Sequence, residues 1–116
     1  MVGNSVLFSG PLGVHTSRSG RACTVAIRGE LDLANILVVE RQLGAALGDR
    51  SCATVTVDLR GLEFIDSTGI ALLIRTLSRD TDHRLRFIPS ESRAVTKVLE
   101  LTGVADRLTE ADGPSA

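Results

Sequence analysis

The residues best placed to do chemistry are Asp66-Ser67-Thr68-Gly69, which stand directly before the most regular apolar stripe in the chain. Asp and Ser are both favoured at helix starts, because a side-chain oxygen can accept from an orphan N–H of the first turn. With one of them acting as the cap, the other is spare. Gly69 would fall in that first turn, where glycine costs up to ~1 kcal/mol against alanine, so something is expected to approach the backbone closely there. Spacing alone favours a plain cap at Asp66 or Ser67. The functional alternative is a hydroxyl presented at a helix N-terminus, where a phosphate is electrostatically favoured. A second acidic turn, Gly29-Glu30-Leu31-Asp32, follows an apolar segment. Local chemistry makes Asp32 the N-cap of the next helix. Yet Asp32 and Asp66 both follow strands and precede helices, and in an α/β sheet such positions gather at one edge. Two carboxylates and a hydroxyl are therefore candidates for one site.

The elements that must hold these turns are visible as hydrophobic periodicity. In Ala22–Arg28, Cys23, Val25 and Ile27 share one face, while Thr24 and Arg28 share the other. The same alternation recurs over 54–59 and 84–87, and residues 13–18 are expected to add a first strand ending at Ser19-Gly20. Alternation implies a sheet with one packed and one wet face, so helices are expected mainly on one side. Three helices are expected between the strands. Ile36, Val39, Leu43 and Leu47 line the first, which stops at Gly48; Ile70, Leu73, Ile74 and Leu77 line the second. Val95, Val98 and Leu99 line the third, behind Pro89 and Ser90, with Gly103 as its stop. A last short strand is expected near 104–109. The organisation that follows is a loosely ordered lead-in (1–11), one α/β domain (12–109) and a frayed tail (110–116).

Composition bounds what the domain can do. With 116 residues, 43% hydrophobic and only 3% aromatic, the chain can build one aliphatic core. The scarcity of aromatics argues against single-stranded nucleic-acid binding, which uses stacking platforms. The net charge of −1 comes without a Lys/Arg block that would neutralise phosphates or an anionic bilayer. The longest apolar run, Ile36-Leu37-Val38-Val39, is too short to span a membrane, and no secretory leader is apparent, so a cytoplasmic location is expected. Cys23 and Cys52 are expected as two buried, reduced thiols, and neither metal nor cofactor is expected.

The run Ile27-Arg28-Gly29-Glu30-Leu31-Asp32, with Val55-Thr56-Val57-Asp58-Leu59 and Phe64-Ile65-Asp66-Ser67-Thr68-Gly69, closely resembles the STAS domain of bacterial anti-sigma factor antagonists. The resemblance runs from about Leu12 to Thr109. It implies a single STAS-type α/β domain, with a mixed, mostly parallel sheet of four to five strands and helices packed mainly on one face. It also implies a regulatory, non-enzymatic role. A partner anti-sigma factor with serine kinase activity would phosphorylate Ser67, and only the unphosphorylated form would bind that partner and free its sigma factor. A serine phosphatase would restore it. Asp32, Asp66, Ser67, Thr68 and Gly69 would form the partner-binding surface. The family usually carries a further C-terminal helix, which the expected last strand leaves no room for.

Two other functions share the same residues. One is an unswitched STAS scaffold, or a cytoplasmic subunit of a transporter complex, in which Ser67 is only a cap. The other is a serine hydrolase with Ser67 as nucleophile and His15 or His83 as base. Against it, Ser67 lacks the Gly-x-Ser-x-Gly elbow, and His83 lies in the polar stretch Arg79-Asp80-Thr81-Asp82-His83.

Overall fold

The alternating segments do form strands. The computed structural model describes residues 4–112. Its elements run β1 (Ser5–Ser9), β2 (Leu12–Ser19), β3 (Ala22–Leu31), α1 (Ile36–Gly48), β4 (Thr54–Asp58), β5 (Leu62–Ile65), α2 (Ser67–Arg79), β6 (Leu85–Ile88), α3 (Arg93–Leu101) and α4 (Val104–Asp112). One mixed sheet has the order β1-β2-β3-β4-β6, with β5 paired to β3. The β1–β2 and β2–β3 pairs are antiparallel, whereas β3–β4, β3–β5 and β4–β6 are parallel. The sheet is mixed, as expected, but has six strands instead of four or five.

Register explains the one-sided core. Val14, Ile27, Val25, Val57 and Phe87 stand on one face of paired strands and are buried. The helices pack over that face: Val39 and Leu43 of α1, Leu72 and Leu73 of α2, and Val95 and Leu99 of α3 join the same aliphatic core. The opposite face carries His15, Ala26, Arg28 and Thr56. On α2 the buried positions are Gly69, Leu72, Leu73 and Thr76, while Ile70, Ile74 and Leu77 are only partly buried. The expected stripe is thus correct in period and rotated in phase.

Several expectations are corrected. The lead-in contains β1, which pairs with β2 through the two-residue turn Gly10-Pro11; Met1–Gly3 lie outside the described residues. The expected strand at 104–109 is instead α4, because Val104 and Leu108, four apart and both buried, fit a helical face. Gly103, at φ +77°, ends α3 and lets the chain enter α4 directly. The domain therefore has the C-terminal helix that seemed to lack room. Of the tail at 110–116, residues up to Asp112 belong to α4, and 113–116 lie outside the described residues. Asp66 does follow a strand, but that strand is β5, separate from the alternating segment at 54–59.

Cys23 and Cys52 are buried as expected, but they form a disulfide with a Cα–Cα distance of 5.7 Å. Parallel pairing of β3 with β4 causes this. Cys23 lies opposite Val55, and the Ala53 and Thr54 N–H groups donate to the Arg21 carbonyl, so the segment before β4 is drawn alongside the start of β3.

Candidate functional site

Asp66 organises the site. It is the N-cap of α2, with extended backbone. Its Oδ1 accepts from Thr68 N–H at 3.0 Å, from Gly69 N–H at 3.0 Å and from the Thr68 hydroxyl at 2.6 Å. Its Oδ2 accepts from Leu33 N–H at 3.1 Å, across to the loop that joins β3 to α1. The Asp66 N–H donates to the Leu31 carbonyl at 3.2 Å, so backbone and side chain both tie the two turns together. Burial pushes the Asp66 carboxyl up, but the hydrogen bonds from the Thr68 hydroxyl and from the Gly69, Leu33 and Thr68 N–H groups outweigh it. The result lies below the ordinary carboxylate value.

The second turn has its own internal lock. Asp32 Oδ1 accepts from Ala34 N–H at 3.0 Å, and Asn35 Oδ1 accepts from Asp32 N–H at 3.0 Å. Asn35 is buried and donates its amide to the Glu30 carbonyl at 2.9 Å. Asp32 is therefore not the N-cap of α1; it closes the turn before it, and Asn35 holds the cap position. Nothing in its neighbours marked Asn35 in advance, because its partners are backbone groups on the preceding strand.

Gly29 sets the path into this turn. It has φ +84°, and a Cβ there would stand 1.9 Å from the Pro11 carbonyl oxygen. The register between β3 and β5 shifts between Gly29 and Glu30, which turns the end of β3 toward β5. Gly69 also has a steric reason. A Cβ there would meet Ile65 Cγ1 at 2.6 Å and Leu31 Cδ2 at 3.2 Å. The close approach expected at Gly69 thus comes from the protein's own core, not from a ligand.

Ser67 is what remains. It is the first residue of α2 and is exposed. Asp66 has taken the capping role, and the Ser67 hydroxyl has no hydrogen-bond partner among the described residues. Beside it in the chain stand the half-buried Asp66 and Thr68; Leu33, on the loop tied to Asp66, is exposed, as are Leu37 in the first turn of α1 and Phe64 on β5, the strand that leads into this turn. These three apolar residues were missed from sequence. Leu33 and Phe64 stand beside acidic residues and Leu37 lies inside the run Ile36–Val39, so exposure alone distinguishes them from core.

Neither histidine named for the hydrolase alternative stands at the Ser67 turn. His83 follows the far end of α2, a 13-residue helix about 20 Å long. His15 stands on the helix-free face of the sheet, opposite α2.

A family model described as "Mlab, STAS domain" matches residues 14–110. The chain belongs to the STAS-domain family. No curated protein sequence matches it. Among solved structures, an anti-sigma factor antagonist from Mycobacterium paratuberculosis is similar with a TM-score of 0.75 and 21% identity, over 87% of this chain and 86% of that one. The anti-sigma factor antagonist SpoIIAA in its unphosphorylated form gives 0.64 and 25%, over 80% and 83%. The Bacillus cell fate determinant SpoIIAA in the phosphorylated form gives 0.56 and 17%, over 90% and 86%. Among the described residues of the STAS chain studied here, no helix is long and apolar enough to cross a membrane.

Proposed function

We propose that this STAS domain is an anti-sigma factor antagonist whose unphosphorylated form binds an anti-sigma factor with serine kinase activity, and that phosphorylation of Ser67 by that partner ends binding. The observation that carries the reading is the exposed, unengaged Ser67 hydroxyl on a helix start that Asp66 already caps. The similarity to an antagonist described in its unphosphorylated form supports it. Asp32, Asp66, Thr68 and Gly69 shape the two turns, and Leu33, Leu37 and Phe64 supply apolar area for contact. A serine phosphatase would reset the switch.

The geometry favours a switch without refolding. A phosphate adds about −1.5 to −2 charge. The Thr68 and Gly69 N–H groups that would otherwise receive it are committed to Asp66. Helix-end stabilisation of roughly 0.3–1 kcal/mol is opposed by the neighbouring Asp66 carboxylate. The phosphate therefore stays in solvent in the free protein, and its effect falls on the complex. Burying an unpaired charge in an interface costs ~2–5 kcal/mol, which is about one to more than three decades of affinity.

The test compares wild type, Ser67→Ala and Ser67→Asp for binding to the kinase-type anti-sigma factor encoded nearest to the chain. Intact mass is followed during incubation with ATP. The expected result is that wild type and Ser67→Ala bind, Ser67→Asp binds at least tenfold more weakly, and only wild type gains phosphate. Equal binding of all three would refute the switch. It would leave the unswitched scaffold, in which Ser67 is a helix residue and nothing more.

A further inference from the structure

The two end strands of the main strand order, β6 and β1, are treated differently, and β5 lies off that order with β3 as its partner. At one edge, β6 carries Arg86, lies between Arg84 and Pro89, and has α4 packed beside it. Charge, proline and a covering helix are the usual devices that keep an edge strand from pairing. At the other edge, β1 reads Ser5-Val6-Leu7-Phe8-Ser9 and has no charge, no proline and no covering helix among the described residues. Its three apolar side chains are exposed: Val6 at 53%, Leu7 at 40% and Phe8 at 72%.

The strand is also symmetric about its centre. Reversed, Ser-Val-Leu-Phe-Ser keeps the pattern of polar ends, apolar flanks and a central leucine. Ser9 and Leu12 close a two-residue turn, with Gly10 at φ +56° as such a turn requires at its first position. That makes Ser9–Leu12 a hydrogen-bonded pair, and by alternation so are Leu7–Val14 and Ser5–Thr16. Val6 and Phe8 therefore aim their N–H and C=O groups outward. A two-fold axis at Leu7 places Val6 opposite Phe8 of a second copy, and Phe8 opposite Val6. All four outward-facing residues then exchange backbone hydrogen bonds, and Leu7 meets its own copy in a non-hydrogen-bonded pair.

We propose that β1 is a homodimer interface in which two copies join edge to edge, antiparallel and centred on Leu7, into one continuous sheet. Side-chain placement agrees. Val6 and Phe8 oppose His15 and Gly13 and so lie on the helix-free face, whereas Leu7 opposes Val14 and lies on the helix side. Strand β1 itself carries no charged residue; Arg18 lies on β2, and Arg28 on β3 lays its aliphatic stem over Gly13 beside Phe8. Strands β2 and β3 separate β1 from β5 and the Ser67 turn. The dimer thus leaves both copies of that turn free, and the proposal stands whether or not Ser67 is a switch.

The test uses the full chain. Sedimentation equilibrium should show a mass that rises from monomer toward dimer with concentration, and Leu7→Lys should weaken association by about tenfold or more, because two like charges would then face each other. Under mild oxidation Leu7→Cys should cross-link to its own copy, since Cα atoms of a non-hydrogen-bonded pair lie about 4.5 Å apart. Ser5→Cys should not, because it faces Ser9 of the other copy and lies about 13 Å from its counterpart. Circular dichroism checks that each variant folds. A wild type that stays monomeric at all concentrations overturns the proposal. So does a dimer indifferent to Leu7→Lys, or equal cross-linking of the two cysteine variants.

Discussion

Replacing Asp66 by asparagine should separate two tasks that its two carboxylate oxygens divide. Oδ1 takes the Thr68 and Gly69 N–H groups and the Thr68 hydroxyl; Oδ2 takes the Leu33 N–H. Asparagine keeps its oxygen on the three-donor side and turns its amide toward Leu33, where two donors then face each other. The cap survives and the tie between loops is lost. The expected destabilisation is about 1–2 kcal/mol: about 1 for the missing hydrogen bond and up to 1 for the charge removed from the helix start. Asp66→Ala loses the cap as well, which adds about 1 kcal/mol and brings the total to about 2–3. Urea denaturation measures both, and amide exchange at Leu33 reports the tie directly. Asp66→Asn should expose that amide, with amides in the middle of α2 left protected. If Asp66→Asn unfolds at the wild-type urea concentration with Leu33 exchange unchanged, the assignment of Oδ2 as a tie is wrong. If Asp66→Ala is no worse than Asp66→Asn, the assignment of Oδ1 as the cap is wrong.

Three more outcomes follow from the same contacts. Asp66 titrates below its ordinary value of 3.8, so its contribution is present above that value and is lost as pH falls through the lower folded one; wild type should lose stability below about pH 4 more steeply than Asp66→Asn in acid denaturation. Gly69→Ala should destabilise by about 1–2 kcal/mol, because overpacking against Ile65 and Leu31 exceeds the helix-propensity gain; in an Ile65→Ala background the same change should be neutral or stabilising by thermal melting. Replacing Cys23 and Cys52 by serine should cost about 3–4 kcal/mol, the loop-closure value for a separation of 29 residues, and thiol titration of the unfolded wild type should find none free.

Much of this fold was legible because long amphipathic segments carry their period openly. The stripe from Ile36 to Leu47 fixed α1 to its last residue, and Cys23, Val25 and Ile27 marked the buried face of β3. What stayed hidden depends on contacts between distant segments. In β5 the four residues run buried, exposed, exposed, buried, so no alternation shows. Strand β1 lies in a stretch rich in Gly and Ser, so it reads as a loosely ordered lead-in. Val104 and Leu108 are too few to declare a helix until β6 and α3 are in place beside them. The disulfide requires knowing that β3 and β4 are neighbours. At the candidate site, the chemistry-bearing types were readable, and Asp66 as the cap was one of two options. The Leu33–Asp66 tie, the role of Asn35 and the inward reason for Gly69 all arise from tertiary packing.

Gly69 has a consequence for recognition. With Ile65 and Leu31 packed so tightly beneath it, the start of α2 has one seat on the sheet, and Ser67 inherits its position from the hydrophobic core. On the proposed reading a partner would meet a backbone already fixed at Ser67, so only the free side-chain rotamer of that serine is left to order on encounter. Changes at the buried Ile65 or Leu31 should then be felt as altered affinity for that partner. On the same reading, the side chains free to vary with the partner would be the exposed Leu33, Leu37 and Phe64.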